Sequence, residues 1–279
     1  MKIDFNIGDN DEERKYAVEY IIGCKDAKKS SIAKYTKDVR LVVKKSESKN
    51  VFRVEFSKVK KDESRTCDNP IDHFFIKSSE VLNKLDLSLT EDGQIESVLN
   101  REENMRNWGN TKIYLERCFV SEDTAVASQF NDWISQLETI VKDDDMFLHA
   151  IRNDIVYYCL FCGFWKDFGE KNLIVTQKPF LLLFGDSNLV IKSDCHAIDI
   201  NGKQGVYVNG NASVEESDMK AIGQYLGFDN LSKDDITVNL EGLYLFDAAG
   251  LINTIELFVT ANLRNSCFNK ELGVVIKKI

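Results

Sequence analysis

The sequence predicts an α+β protein, with antiparallel β-sheets in both halves of the chain and a central pair of α-helices. Three observations carry this. Segments in both halves alternate apolar and polar residues with period two, the mark of a sheet with one wet face. The middle of the chain switches to steps of three and four, the mark of an amphipathic helix. Short polar turns, such as Asp92-Gly93 and Asn201-Gly202, separate alternating runs as hairpin turns do. The composition allows a core: 43% of the 279 residues are hydrophobic, 29% are charged and only two are proline. That excludes global disorder and proline-rich or collagen-like architectures.

Taken in order, residues 1–12 are polar and are expected to order late or not at all. A first strand spans Tyr16 to Ile22. Over 35–45, Val39, Leu41 and Val43 point one way, and Asp38, Arg40 and Lys44 the other. Over 51–57, Phe52, Val54 and Phe56 face inward against Arg53, Glu55 and Ser57. Residues 61–72 read as a loop and Pro70 to Ser79 as a short helix. Leu85, Leu87 and Leu89 then alternate into the Asp92-Gly93 turn, and Ile95 starts the return strand. Asn100 and Glu103 read as a capping box for a short helix burying Met105 and Trp108.

Between Ser121 and Lys142, Phe130, Trp133, Ile134, Leu137 and Val141 form one helical stripe. A second helix starts at Asp143, with Asp143, Asp144 and Asp145 in its first turn, where the dipole favours acids. It runs into Ile155–Trp165, eleven residues without a charge. Strands return at 173–175, 179–184, 195–200 and 205–208, with turns at Asn201-Gly202 and Asn209-Gly210. A helix over 214–226 and strands over 235–247, 251–262 and 272–278 complete the chain. Three regions result, 1–120, 121–168 and 169–279, forming one integrated unit. A pseudo-repeat relates the outer two: Gly93-x-Ile95-x-x-Val98 matches Gly250-x-Ile252-x-x-Ile255, each after a short helix and two alternating strands.

The residues that suggest chemistry have structural readings that outweigh it. Cys159-Leu-Phe-Cys162 puts two thiols on one helix face, but at an apolar helix end rather than a helix start, and no second CxxC completes a zinc site. Cys195 and His196 are strand neighbours and point to opposite faces, so they form no nucleophile–base dyad. Asp68, Asp72 and His73 have metal-ligand chemistry in a polar loop that accounts for them equally well. His149 reads as partly exposed on its helix, and Asp143–Asp145 as a helix start. The chain has no GxxxxGK[ST], GxSxG, HExxH or GxGxxG. No metal or cofactor is expected.

Charge is unevenly distributed. The net charge is −9, yet residues 25–65 hold 14 basic and 6 acidic side chains, while 121–154 hold 8 acidic and 2 basic. The basic strands offer Lys37, Arg40, Lys44 and Arg53 as a binding face. Their aromatics, Phe52 and Phe56, alternate onto the other side, so nucleic acid is not the expected partner. The seven cysteines cannot all pair within the chain and read as reduced thiols of a cytoplasmic protein. No apolar run reaches the roughly 20 residues that span a membrane. No basic start followed by an apolar run marks a secretory leader, although a trimmed leader leaves no trace.

The leading expectation is a non-enzymatic, intracellular interaction protein, loosely bacterial or phage in composition. It would act on another protein by surface complementarity, as an adaptor, chaperone or toxin-blocking immunity protein. The alternatives are a carrier, holding an apolar ligand between curved sheet and helices with Ile155–Trp165 lining the cavity, and an enzyme without familiar motifs.

Overall fold

The computed structural model describes residues 1–6, 11–25, 30–44, 51–57, 60–61, 70–120, 125–180, 189–214, 216–226, 231–264 and 268–279. Three long strands open the chain: β1 (Glu12–Lys25), β2 (Ser30–Lys44) and β3 (Val51–Phe56). The two-residue β4 (Lys60–Lys61), α1 (Pro70–Ser78) and the hairpin β5 (Lys84–Leu89) and β6 (Ile95–Val98) follow. Four helices fill the middle: α2 (Arg101–Phe119), α3 (Ala125–Lys142), α4 (Asp144–Asn153) and α5 (Ile155–Leu160). The second half contains β7 (Leu173–Phe180), β8 (Leu189–Ile200), β9 (Lys203–Ser213) and α6 (Glu216–Leu226). It ends in β10 (Ile236–Phe246), β11 (Ile252–Leu263) and β12 (Asn269–Lys278).

These strands form one antiparallel sheet, not one per half. Its order is β6-β5-β3-β2-β1-β12-β11-β10-β9-β8-β7, with β4 alongside β2. The halves join because β1 pairs with β12 over a full strand length, from Tyr16 opposite Lys278 to Lys25 opposite Asn269. A sheet boundary had been expected between the halves because nothing local in β1 names its partner. Setting aside β4 and β12, each side runs through a three-strand meander, a helix, then a hairpin whose first strand pairs with the third of the meander.

One face of the sheet is apolar. Val39, Leu41 and Val43 of β2, Phe52 and Val54 of β3, and Leu85 and Leu87 of β5 are buried on it. Val274 and Ile276 of β12, Ile255, Leu257 and Val259 of β11, and Val206 and Val208 of β9 continue the same surface. The alternate positions are wet, as period-two patterning requires. All belong to a single contiguous core with the helices.

The sheet is curled. Ile95 on edge strand β6 and Gln177 and Lys178 on edge strand β7 line the same cavity, although nine strands lie between β6 and β7 on the path. The enclosed space holds α5. Its Ile155, Val156, Tyr157, Cys159 and Leu160 are all buried, which explains why this segment is apolar on every side.

Several expectations change in detail. The helix expected from Asp143 is two helices, because Asp154 takes an extended backbone and starts α5 anew. Its carboxylate accepts from the amides of Val156 (2.9 Å) and Tyr157 (3.2 Å). Asn100 does precede α2, which runs for 19 residues, but it forms no capping box. Its side chain accepts from the Asp86 amide and donates to the Lys84 carbonyl, tying helix start to strand. Asn201-Gly202 makes the expected turn, both residues at positive φ. Asn209-Gly210 does not; it lies inside β9, and a side chain at 210 would meet Ser193 Oγ at 2.3 Å. There glycine serves close strand packing. The strand expected over 179–184 falls partly outside the described residues.

The N-terminal segment is packed, contrary to expectation for its first six residues. Ile3 is fully buried, its amide donates to the Lys166 carbonyl, and the Asn6 amide donates to the Ala249 carbonyl. Trp165, just past α5, ties this segment to both halves. Its backbone amide donates to Asp92 in the β5–β6 turn, and its indole Nε1 donates to Gly250 in the β10–β11 turn (2.8 Å). Its ring stacks on Phe5 at 4.2 Å and approaches Phe52 at 5.7 Å. Gly93 and Gly250, the glycines shared by the two similar segments, both sit at positive φ in these turns.

Candidate functional site

The four basic strand residues do not share one face. Lys37 has the parity of Val39 and lies on the inner side, its Nζ 3.8 Å from the Phe56 ring centroid and 5.1 Å from that of Tyr20. Burial lowers its pKa, partly opposed by the Asp154 carboxylate. Arg40 is on the outer side, between Glu13 (2.8 Å) and Glu55 (3.0 Å). Arg53 makes a two-pronged contact with Asp86, both bonds 2.7 Å. The Arg53 guanidinium holds the Asp86 carboxyl below its usual range. Lys44 sits half-buried near Asp86. The two arginines are thus matched by carboxylates of neighbouring strands, which removes much of the face's free positive charge.

A better-formed site lies where the two sheet edges face each other. A cavity of about 420 Å³ opens between β6, β7 and the α4–α5 junction. That is within the size range of small-molecule sites. Tyr157, Tyr158 and Phe161 supply aromatic surface from α5 and its end. Thr90, Gln94, Asn153 and Gln177 supply neutral polar groups, and His149, Arg152 and Lys178 the basic ones. Each aromatic is placed by the fold. Tyr157 is buried, its hydroxyl donates to the Leu82 carbonyl at 2.9 Å, and burial raises its pKa well above the usual phenol value. Phe161 lies against Tyr157 and Phe52.

The arginine and the lysine are held by backbone carbonyls. Arg152 Nε and Nη2 both donate to Ile95 O, at 3.0 and 2.7 Å. This also satisfies a carbonyl on edge strand β6. Lys178 Nζ donates to Cys162 O at 2.5 Å and lies 5.4 Å from the Tyr158 ring centroid. Burial pulls the Lys178 pKa down.

Beside Lys178 is a second, small void of about 20 Å³, lined in part by Cys162, Cys195, Thr176, Ser193 and Tyr244. Cys159, Cys162 and Cys195 are buried free thiols. Burial pushes the Cys162 pKa up to about 12 and that of Cys159 well above the usual thiol range. Thiols so placed are poor nucleophiles and pack as small hydrophobes.

The remaining candidates are not drawn together. Cys195 is buried and His196 exposed, on opposite faces of β8. His73 is exposed beside Tyr114 and Phe119, and Asp68 lies outside the described residues. Among the described residues, no group of three His, Cys, Asp or Glu side chains is placed to hold a metal. Asp143 caps α4 by accepting from the Met146 amide at 2.8 Å. His149 alone of these reaches the cavity.

Sequence reasoning singled out one wall of the cavity, the Ile155–Trp165 run, and missed the rest. Arg152 and Lys178 carry no pattern of their own and line one cavity only because the sheet curls. The available signal was Lys178 itself, a lysine next to proline in an alternating strand. No protein-family model and no curated protein matches the chain. No helix among the described residues is long and apolar enough to cross a membrane.

Proposed function

We propose that this protein binds a small organic molecule in the cavity between β6, β7 and the α4–α5 junction, and acts as a carrier or sensor of it rather than as an enzyme. The observation that carries this is the cavity's construction: about 420 Å³ with an aromatic wall and a few polar groups converging from separate elements. The buried thiols beside it have raised pKa values, which argues against nucleophilic chemistry there.

Native mass spectrometry of the protein from its own host tests this. The expected result is an added mass, released on denaturation. The His149→Trp variant, at an exposed wall position, should lose that mass while keeping the melting temperature. An added mass retained by the variant would place the ligand elsewhere. The protein with no added mass, and no small molecule that raises its melting temperature, would overturn the reading.

A second reading, an intracellular partner protein, is favoured by exposed apolar side chains on α1. Ile71 and Phe75, one turn apart, are 42% and 50% exposed. Copurification of one stoichiometric protein, lost on Phe75→Ser, would support it. The shared element order of the two halves and the meeting of both hairpin turns at Trp165 support an internal duplication.

A further inference from the structure

We infer that the occupant of the seam cavity is an organic carboxylate, its acidic group held between Arg152 and Lys178 and its apolar body against Tyr157, Tyr158 and Phe161. The inference rests on the proposed ligand-binding reading and names the ligand's class.

The wall is basic. Its lining contains an arginine, a lysine and a histidine and no aspartate or glutamate. In a protein of net charge −9, acids outnumber bases, so a wall with cations alone is a departure from composition. The nearest carboxylate that affects Lys178 is Asp92. It is already engaged, accepting from Thr90 Oγ1 at 2.5 Å and Gln94 Nε2 at 2.9 Å, and facing Lys166 at 3.4 Å.

Arg14, Arg40, Arg53 and Arg101 lie on carboxylates. Among the described residues the exposed Arg106, Arg117 and Arg264 form no such pair. Arg152 and Lys178 have none within ion-pair distance among the described residues, and each instead donates to a carbonyl. A carbonyl orients a cation without neutralising it. Lys178 is the part-buried one of the two, and a part-buried charge left in this state favours an incoming anion, because the anion supplies the attraction that the lost water supplied; the exposed Arg152 adds its charge from the same wall.

Arg152 spends its Nε and one Nη2 hydrogen on Ile95 O, and Nη2 also reaches Glu96 O at 3.5 Å, so one paired edge of the guanidinium is occupied and Nη1 is left as its free donor. Lys178 contributes from the opposite edge strand. Two such donors match the two oxygens of a carboxylate. Gln177, Asn153 and Thr90 add neutral groups, while the three aromatics favour a flat or aliphatic body.

Isothermal titration with 2-naphthoate, dodecanoate and phenyl phosphate, each beside its uncharged counterpart (2-naphthamide, dodecanol and phenol), tests the class. At least one carboxylate should bind about tenfold more tightly than its counterpart, the value of one or two charge-assisted hydrogen bonds. Arg152→Gln, at an exposed position, should abolish that difference while the uncharged counterpart binds as before. Lys178→Met should do the same; Arg152→Gln alone decides the matter if Lys178→Met fails to fold. Equal affinity for acid and neutral forms overturns the carboxylate inference and leaves the cavity reading standing. A preference for phenyl phosphate overturns it in favour of phosphate esters. No binding by any probe, together with no ligand in native mass spectrometry, removes both.

Discussion

Replacing Trp165 with alanine should be among the most damaging single changes in this protein, although Trp165 lies outside every helix and strand. Its ring stacks on Phe5 and approaches Phe52, and its indole donates to Gly250. Truncation of a large aromatic in a core costs about 3–5 kcal/mol. Trp165 is only partly buried, which places the packing loss at the lower end, about 3 kcal/mol. The lost bond to Gly250 adds about 1 kcal/mol. The sum, about 4 kcal/mol, is a large part of the 5–15 kcal/mol by which domains are stable. Trp165→Phe keeps most of the stacking and removes the bond, so it should cost about 1–2 kcal/mol. Urea unfolding followed by circular dichroism measures both, with coincident tryptophan fluorescence from Trp108 and Trp133 as the two-state check. A loss below about 1 kcal/mol for Trp165→Ala would refute the claim that this ring joins the two turns. Equal losses for the two variants would instead assign the whole effect to the hydrogen bond.

Three other outcomes are expected. Gly93→Ala should cost about 2 kcal/mol, because Gly93 sits at φ +90° and a Cβ would lie 2.5 Å from Trp165 Cε3. Its cost should shrink in a Trp165→Ala background, where additive losses in a double-mutant cycle would refute the contact. Asp86→Asn should remove about 1 kcal/mol at neutral pH. Because Arg53 holds the Asp86 pKa below its usual value, this contribution is present above the ordinary carboxylate pKa and is lost as pH falls through the depressed one. Wild-type and variant stabilities should therefore converge in acid, and a gap that persists at pH 2 would count against the pair. Finally, Cys159 and Cys162 should resist alkylation in the native state at pH 8 while exposed Cys118 reacts. Rapid native labelling of either would contradict their burial.

The elements were legible in the sequence where local chemistry decides them. Val39, Leu41 and Val43 gave the inner face of β2, Asn201-Gly202 gave a turn, and the stripe ending in Ile134 and Val141 gave α3. What failed required knowledge of distant partners. Asn209-Gly210 has turn composition, yet it is threaded through a sheet whose neighbouring strand sits too close for a side chain. Asp154 interrupts a helix that its apolar neighbours would continue, because two amides find its carboxylate. Lys37 was grouped with Arg40 by charge, whereas strict alternation from Val39 puts it inside, on Phe56. The candidate site was half legible for the same reason. The apolar run through Tyr157 and Phe161 is a local feature, and the presence of Arg152 and Lys178 in one cavity wall is a product of sheet curvature.

The position of β12 has a consequence for how the chain is made. Of the described strands β12 is made last, yet it occupies a middle place in the sheet. Tyr16 must wait for Lys278, and until then β1 and β11 each present a bare edge. Neither half completes its hydrogen bonding while the ribosome still holds residues 269–278. Such long-range pairing slows folding and leaves strand edges exposed to other chains. The nascent protein therefore has a window of vulnerability that lasts until residues 269–278 have emerged. A product that stops short of β12 should be a substrate for chaperones and proteases rather than a shorter working protein.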